Sequence, residues 1–401
     1  MLLRAAFRNV LRSPRRTLAV LATIAFGVLF LGLFRAFNGG LLESVKESTI
    51  HARYGHGQID ERGYLEHVYE RPWEHWIADY APLRKALKES GVARDVFPRV
   101  TFAALLTNDR TNVAAIGQGI DAAAEASFFN LLHVEEGQPL MHEETGVLLG
   151  AGLAKSLDRK VGDRVTVLTN TLEGSFNGVD LTVTGIFHTG SPDLDETLFR
   201  MQLTTAQSLL ATDRVEAVAV GLADENDWPK VEAIVARDFP TLEATPFNVI
   251  DKVNYQQFVD WLKSQFGVIE FVVLLIVLLG IFNNVSTGVL ERKQEIGCLK
   301  ANGDAASDVM HMIGLEALLL ALAGTLLGAA LVLAIVHGAL RDGFMMPPTP
   351  GITRASRMML LIPARVLVAT CAGPFFATLV AAFLAGLRVA RMPIAEALRA
   401  S

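Results

Sequence analysis

Four stretches of this chain are apolar over enough length to cross a lipid bilayer, and they decide most of what it can become. A helix rises about 1.5 Å per residue, so a hydrocarbon core of about 30 Å takes roughly 20 mostly apolar residues. Residues 18–37, 266–289, 309–340 and 366–387 meet that requirement. Asn283 and Asn284 fall inside the second stretch, and Pro374 predicts a kink in the fourth. The third is long enough to tilt or to emerge from the bilayer. Hydrophobic residues make up 51% of the chain and charged residues 19%. That is too apolar for an ordinary soluble domain and too polar for a chain wholly in lipid. The expected fold class is a membrane protein of four transmembrane α-helices, one before and three after a large mixed α/β aqueous domain.

The first stretch has the basic start of a cleaved signal. Its apolar run is longer than a typical signal core, however, and no A-x-A-like site occurs in residues 34–38, so a retained span is expected. Ahead of it, Leu3, Phe7, Val10 and Leu11 share one helical face, with Arg4, Arg8 and Arg12 on another. This pattern suits a helix lying in the head-group plane, ended by Ser13-Pro14. An ordinary positively charged flank fits equally well.

Lysine and arginine near span ends set orientation. Arg4, Arg8, Arg12, Arg15 and Arg16 precede the first span; Arg292, Lys293 and Lys300 lie between the second and third; Arg388, Arg391 and Arg399 follow the fourth. An even number of spans puts all three groups on one side, expected to be the cytoplasm. The third-to-fourth connection opposes this, carrying Arg341, Arg354, Arg357 and Arg365 against Asp342. Lipid head groups or the aqueous domain would then meet those arginines.

The insert between the first two spans alternates helical and extended patterns. Residues 81–90, 151–157, 204–210 and 228–239 read as helices. Residues 100–106, 113–120, 164–168, 179–187 and 215–220 read as strands. The turn-rich 107–110 joins the first two strands, and a polar, glycine-containing tip is expected over 169–178. The two cysteines, Cys298 and Cys371, fall in or beside membrane segments, so this domain must hold together by its own core.

Chemistry-bearing patterns are sparse. Residues 150–156 (GAGLAKS) lack the glycine that a phosphate loop places before its lysine. His51, His56, His67 and His75 have no familiar metal-ligand spacing, and Met345, Met346, Met358 and Met359 suit interfacial packing better than a soft metal. No nucleophile–base motif stands out, and a net charge of −6 without a basic domain argues against nucleic acid. No metal, no cofactor and no catalytic residue are therefore expected on this chain. Glu316 lies inside the third span and, as the lone intramembrane acid, is expected to pair within the helix bundle. The most informative stretch is 291–303, ERKQEIGCLKANG. It is short and charged, ends on a glycine, and carries one apolar edge at Ile296 and Leu299, as a helix docking in a partner's groove does.

That stretch resembles the coupling helix of FtsX/MacB-type ABC transporter permeases. The N-terminal Arg8-Asn9-Val10-Leu11-Arg12 is similar to the family's opening, and residues 391–399 (RMPIAEALR) to its ending. Residues 147–150 with Leu153-Ala154 and Gly162-Asp163-Arg164-Val165 resemble its periplasmic core. The order of one span, outer domain and three spans matches over nearly the whole chain. Size, the missing fused ATPase and residues 190–196 (GSPDLDE) bring it nearest the lipoprotein-releasing permeases, although the 169–178 tip is shorter than their hook and lacks proline.

The resemblance implies an inner-membrane protein with both termini cytoplasmic. It divides into an interfacial helix (1–17), first span (18–40), periplasmic α/β domain (41–262), second span (263–289), coupling helix (290–304), third span (305–340), periplasmic loop (341–363), fourth span (364–388) and cytoplasmic tail (389–401). It implies coupling residues Glu291, Arg292, Glu295, Ile296, Gly297, Leu299, Lys300 and Gly303. Two copies of an ABC ATPase subunit would carry the ATP and Mg, and a second, identical or related permease would complete the core. Membrane lipid and a periplasmic or outer-membrane component are further expected partners. The chain itself would be no enzyme, transmitting mechanical work to a lipid-anchored or amphipathic substrate. A signalling subunit that activates a cell-wall hydrolase is the alternative, and a ligand sensor a weaker one for want of an output domain. Phe26, Phe30, Phe34 and Phe37, spaced four, four and three apart, fall on one face of the first span. Large rings there suit either a substrate cavity or bulk lipid.

Overall fold

The computed structural model describes residues 7–8, 12–67, 72–130, 133–141, 145–303, 305–347 and 356–393. Leu3, Arg4, Asn9, Val10 and Leu11 of the expected interfacial helix, Arg354 and the closing motif over 394–399 lie outside the described residues. The chain forms two units, one of residues 1–44, 260–345 and 357–401, the other of residues 45–259 and 346–356.

The first unit is built on four helices long and apolar enough to cross a membrane: Pro14–Thr49, Gln257–Leu290, Ala306–Ala334 and Ala364–Arg391. Pro374 lies inside the fourth, which runs on past it. Apolar side chains gain little by leaving lipid for one another, so helices in a membrane associate where small residues let backbones approach. The first helix does this on two sides. A Cβ on Gly27 would sit 2.6 Å from Val277 of the second helix, and one on Gly32 2.6 Å from Val332 of the third. The third helix reciprocates, with Gly328 against Val28 and Gly324 against Ile24. Asn284, polar inside the second helix, donates its amide to Thr23 Oγ1 of the first.

The second unit is an α/β domain around a ten-stranded sheet. Its strands are Gly57–Glu61 (β1), Ala93–Thr107 (β2), Asn112–Ile120 (β3), His133–Gly137 (β4), Gly146–Gly150 (β5), Arg164–Asn170 (β6), Phe176–His188 (β7), Leu198–Gln202 (β8), Ala217–Leu222 (β9) and Leu242–Pro246 (β10). The path runs β10-β1-β9-β2-β3-β8-β5-β7-β4, with β6 bridging β2 and β7. Among the described residues, the strand pairs that run parallel are β3–β8 and β5–β7. Leu83 and Leu87 of helix Ala81–Glu89, Leu209 of Leu203–Leu210 and Val231 of Trp228–Asp238 join Val100, Leu149, Val183 and Phe199 in one core.

Turn chemistry sets two registers. Between β2 and β3, Asn108 Oδ1 accepts the N–H groups of Arg110 and Thr111, and Asp109 takes a left-handed φ of 74°. Between β6 and β7 the pairing continues to Asn170↔Phe176. The tip is therefore residues 171–175, shorter than the 169–178 expected, because the ladder outruns the apolar alternation. Beside the tip, Phe176 at the start of β7 is 71% exposed.

One buried acid in this unit has a pH consequence. Asp60 sits on β1 between β10 and β9, 2% exposed, and its Oδ1 has no hydrogen-bond partner. Burial, then the neighbouring carboxylates of Glu216 and Glu243, push it up to about 8. Burial raises Glu216 as well, against the hydrogen bonds it accepts from Tyr64 and the Thr101 N–H. The folded chain thus keeps a proton on Asp60 that the unfolded chain loses near pH 4, roughly its model-peptide value. Stability contributed by this site falls as pH rises from about 4 to about 8 and then levels off. Asp60→Asn is expected to flatten the decline in melting temperature across that window; an unchanged slope would count against a protonated Asp60.

Candidate functional site

Within the first unit the second helix ends at Leu290, and a helix of nine residues, Lys293–Ala301, follows at once. Its charges suit its dipole, with Glu295 in the first turn and Lys300 in the last. Gly303, at φ 102°, stops it in a conformation that side chains rarely adopt.

The short helix has two unlike faces. Ile296, 1% exposed, is buried in a cluster with Val285, Val309, Ile313 and Val389, and Gly297 is buried beside it. The two residues of the expected docking edge differ in burial. Ile296 is spent on the chain's own core, and Leu299 is half-buried. The exposed face consists of Glu291, Gln294, Glu295, Cys298, Ala301, Asn302 and Gly303.

Two cations of the expected set fasten this helix to its own unit. Lys300 Nζ donates to the carbonyls of Ala390 and Met392, 2.8 and 2.9 Å away, where the fourth helix ends. Those carbonyls lack intrahelical donors, so the ammonium supplies what the helix end requires. Arg292 forks. Nε donates to Glu295 at 2.9 Å, and Nη1 to Glu316 of the third helix. Both groups of the Arg292–Glu316 pair are about nine-tenths buried. A cavity of about 50 Å³ opens among Arg16, Arg292, Glu316 and Thr378.

A second intramembrane pair was missed. Arg35 of the first helix donates through Nε to Glu270 of the second at 2.9 Å, and through Nη1 to Thr370 of the fourth at 2.9 Å. Glu316 is therefore not the lone acid of the membrane helices. The signal was present, since each of the first two apolar windows contains one charge, at Arg35 and Glu270.

The four phenylalanines have different surroundings. Phe26 and Phe30 are 65% and 62% exposed. Phe34 packs edge-on to Phe266 at 6.3 Å, and Phe37 stacks on Phe344 at 6.4 Å. In the second unit, the four histidines fall into two pairs. His51 and His56 lie 6.4 Å apart, and His67 stacks on His75 at 5.1 Å. The glycines of 150–156 serve close packing: a Cβ on Gly152 would lie 2.6 Å from Glu196 Cγ.

The family model of the MacB-like periplasmic core domain matches residues 17–237, more than half of the chain, and that of the FtsX-like permease C-terminal region matches residues 267–394. The lipoprotein-releasing system transmembrane protein LolC of Xylella fastidiosa is 27% identical over 338 residues, covering 79% of this chain and 78% of that protein. LolE of Haemophilus influenzae is 27% identical over 330 residues, covering 78% and 75%. The macrolide export ATP-binding/permease protein MacB of Agrobacterium fabrum is 25% identical over 379 residues, 87% of this chain but 55% of that protein. With an α/β domain inserted between the first and second of four apolar helices, and a short helix clamped after the second, the chain belongs to the FtsX/MacB-type family of ABC transporter permeases.

Proposed function

We propose that this chain is the permease subunit of a transporter that uses a separate ATPase to release a lipid-anchored or amphipathic substrate from the inner membrane. The observation that carries the reading is the clamped helix Lys293–Ala301. Arg292 ties it to the third helix and Lys300 to the fourth, while Glu295 and Cys298 stay exposed for a partner. A push on that face reaches two long helices through ionic and hydrogen-bonded contacts. The ATPase, in two copies with its ATP and Mg, would seat there on the cytoplasmic side, under a pair of identical or related permeases. Both termini would then be cytoplasmic, and residues 45–259 would lie on the outer face. The lipoprotein-releasing relatives support a lipid-anchored substrate, and the exposed rings of Phe26 and Phe30 support contact with acyl chains.

The test is reconstitution with the ATPase and a lipid-anchored protein. Cys298→Arg with Asn302→Arg changes exposed positions that take no part in the clamp, so folding and insertion are expected to be normal. Bulk and charge added at a docking face should lower ATPase stimulation and release by at least about tenfold. A double variant that stimulates its ATPase normally would remove this helix from the mechanism.

A further inference from the structure

The connection between the third and fourth helices joins two membrane spans directly, so both of its ends start at head-group depth. Those ends, residues 341–345 and 357–365, belong to the first unit. The second end is fixed against the first helix. The Leu361 N–H donates to the Ala36 carbonyl at 3.0 Å. Glycines admit this close approach: a Cβ on Gly39 would lie 2.6 Å from the Leu361 carbonyl oxygen, and one on Gly40 would run into that of Met359. Exposure then alternates from residue 357 to 361, as it does along a strand. Met358 and Leu360 are 2% and 9% exposed, Leu360 packing with Ala36, Val332 and Val336. Arg357, Met359 and Leu361 are outward, the last two 53% and 42% exposed.

Charge surrounds this apolar row. Four arginines and one acid, Asp342, fall within residues 341–365. Among the described residues, Arg341, Arg357 and Arg365 are exposed and make no ion pair, with Asp342 or with any other acid. Arg357 Cγ lies 3.3 Å from where a Cβ on Gly343 would stand, which brings the Arg341 and Arg357 ends of the connection together. Arg365 is in the first turn of the fourth helix, where a cation opposes the dipole and gains nothing from its own helix.

We infer that this face is a docking surface for anionic phospholipid, whose phosphates meet Arg341, Arg357 and Arg365 and whose acyl chains cover Met359 and Leu361. A phospholipid carries phosphate and hydrocarbon in one molecule, the complement of an apolar row bounded by cations. A zwitterionic head group would bring its own ammonium to a patch with a single acid. An acidic soluble protein would have to reach a face that leads straight into two spans. The surface goes beyond the release reading and holds for any substrate.

The test places the full chain in phosphatidylcholine nanodiscs that contain either photoreactive phosphatidylglycerol or, separately, photoreactive phosphatidylcholine, with cross-links mapped by mass spectrometry. At equal content, the phosphatidylglycerol probe is expected to label residues 341–345 and 357–365 at least about fivefold more, the worth of one arginine at a charged membrane surface. Replacing Arg341, Arg357 and Arg365 together by glutamine should bring the two probes within about twofold. The melting temperature in phosphatidylcholine should stay unchanged, because none of the three is paired. Met359→Gln should lower labelling by both probes alike, about fivefold, having lost apolar cover and not charge. Equal labelling of the unaltered chain by the two probes, or a preference that survives the triple variant, overturns the charge match. Cross-links from this face to protein in place of lipid, a second copy of the chain included, overturn the lipid surface altogether.

Discussion

Glu316→Leu is expected to destabilise the membrane unit by about 3–5 kcal/mol, the usual cost of stripping one partner from a buried ion pair. Arg292 would stay nine-tenths buried with its main counter-charge gone, and Glu295, 65% exposed, would be its remaining acid. Arg16 lines the same small cavity, so two guanidinium groups would border it without that carboxylate. The loss should appear as a lower melting temperature in lipid nanodiscs. Coupling should fail with it, because the ionic link from helix Lys293–Ala301 to the third helix runs through this pair, and its loss leaves only the apolar contact of Ile296. Replacing both partners, Arg292→Met with Glu316→Leu, separates the two effects. Two apolar groups of similar volume can be nearly neutral for stability where one orphaned charge is not. The double variant should therefore recover most of its melting temperature and still fail to pass ATPase-driven motion. Recovery of both would mean that the pair holds the fold without carrying force. A double variant as unstable as Glu316→Leu would show that packing at residue 316, and not its charge, sets the stability.

The membrane helices were the most legible part of the sequence, because a bilayer sets a length that composition alone can match. The insert was legible where one face of a strand meets the core and the other water, as in 179–187, which falls inside β7. It was not legible where both faces are covered. Val147, Leu148 and Leu149 of β5 are all buried and show no alternation, and β8 is nearly as enclosed. The sheet order was out of reach for another reason. The parallel β3–β8 and β5–β7 pairings join distant segments, and nothing local announces such a partner. At the short connecting helix, periodicity found the apolar edge of Ile296 but could not say what it meets, since a partner's groove and the chain's own core ask for the same residue. The exposed positions Gln294, Cys298 and Asn302 have no pattern of their own and became visible only once the inward face was known.

Arg35 and Glu270 went unread because each apolar window tolerates one charge, and only the fold reveals that the two meet. Glu270→Ala is expected to cost about 2 kcal/mol, between the values for exposed and buried pairs. The intermediate figure follows from side chains that keep 20% and 29% of their exposure. The surrounding lipid works the other way, since an arginine without its acid has little water to turn to. Arg35 also donates to Thr370, which is fully buried, so one guanidinium holds the first, second and fourth helices together. Thr370→Val removes a single neutral acceptor and should cost about 1 kcal/mol. The order Glu270→Ala, then Thr370→Val, with Glu270→Gln mildest because its amide oxygen still accepts from Arg35, is the signature of a clamp centred on the guanidinium. A double-mutant cycle between Arg35→Met and Glu270→Ala measures the link directly, with a coupling of about 1–2 kcal/mol expected from melting in nanodiscs. Additive losses would show that Arg35 and Glu270 each stabilise their own helix independently, with the first and second helices joined by the Gly27 contact and the Asn284–Thr23 bond instead.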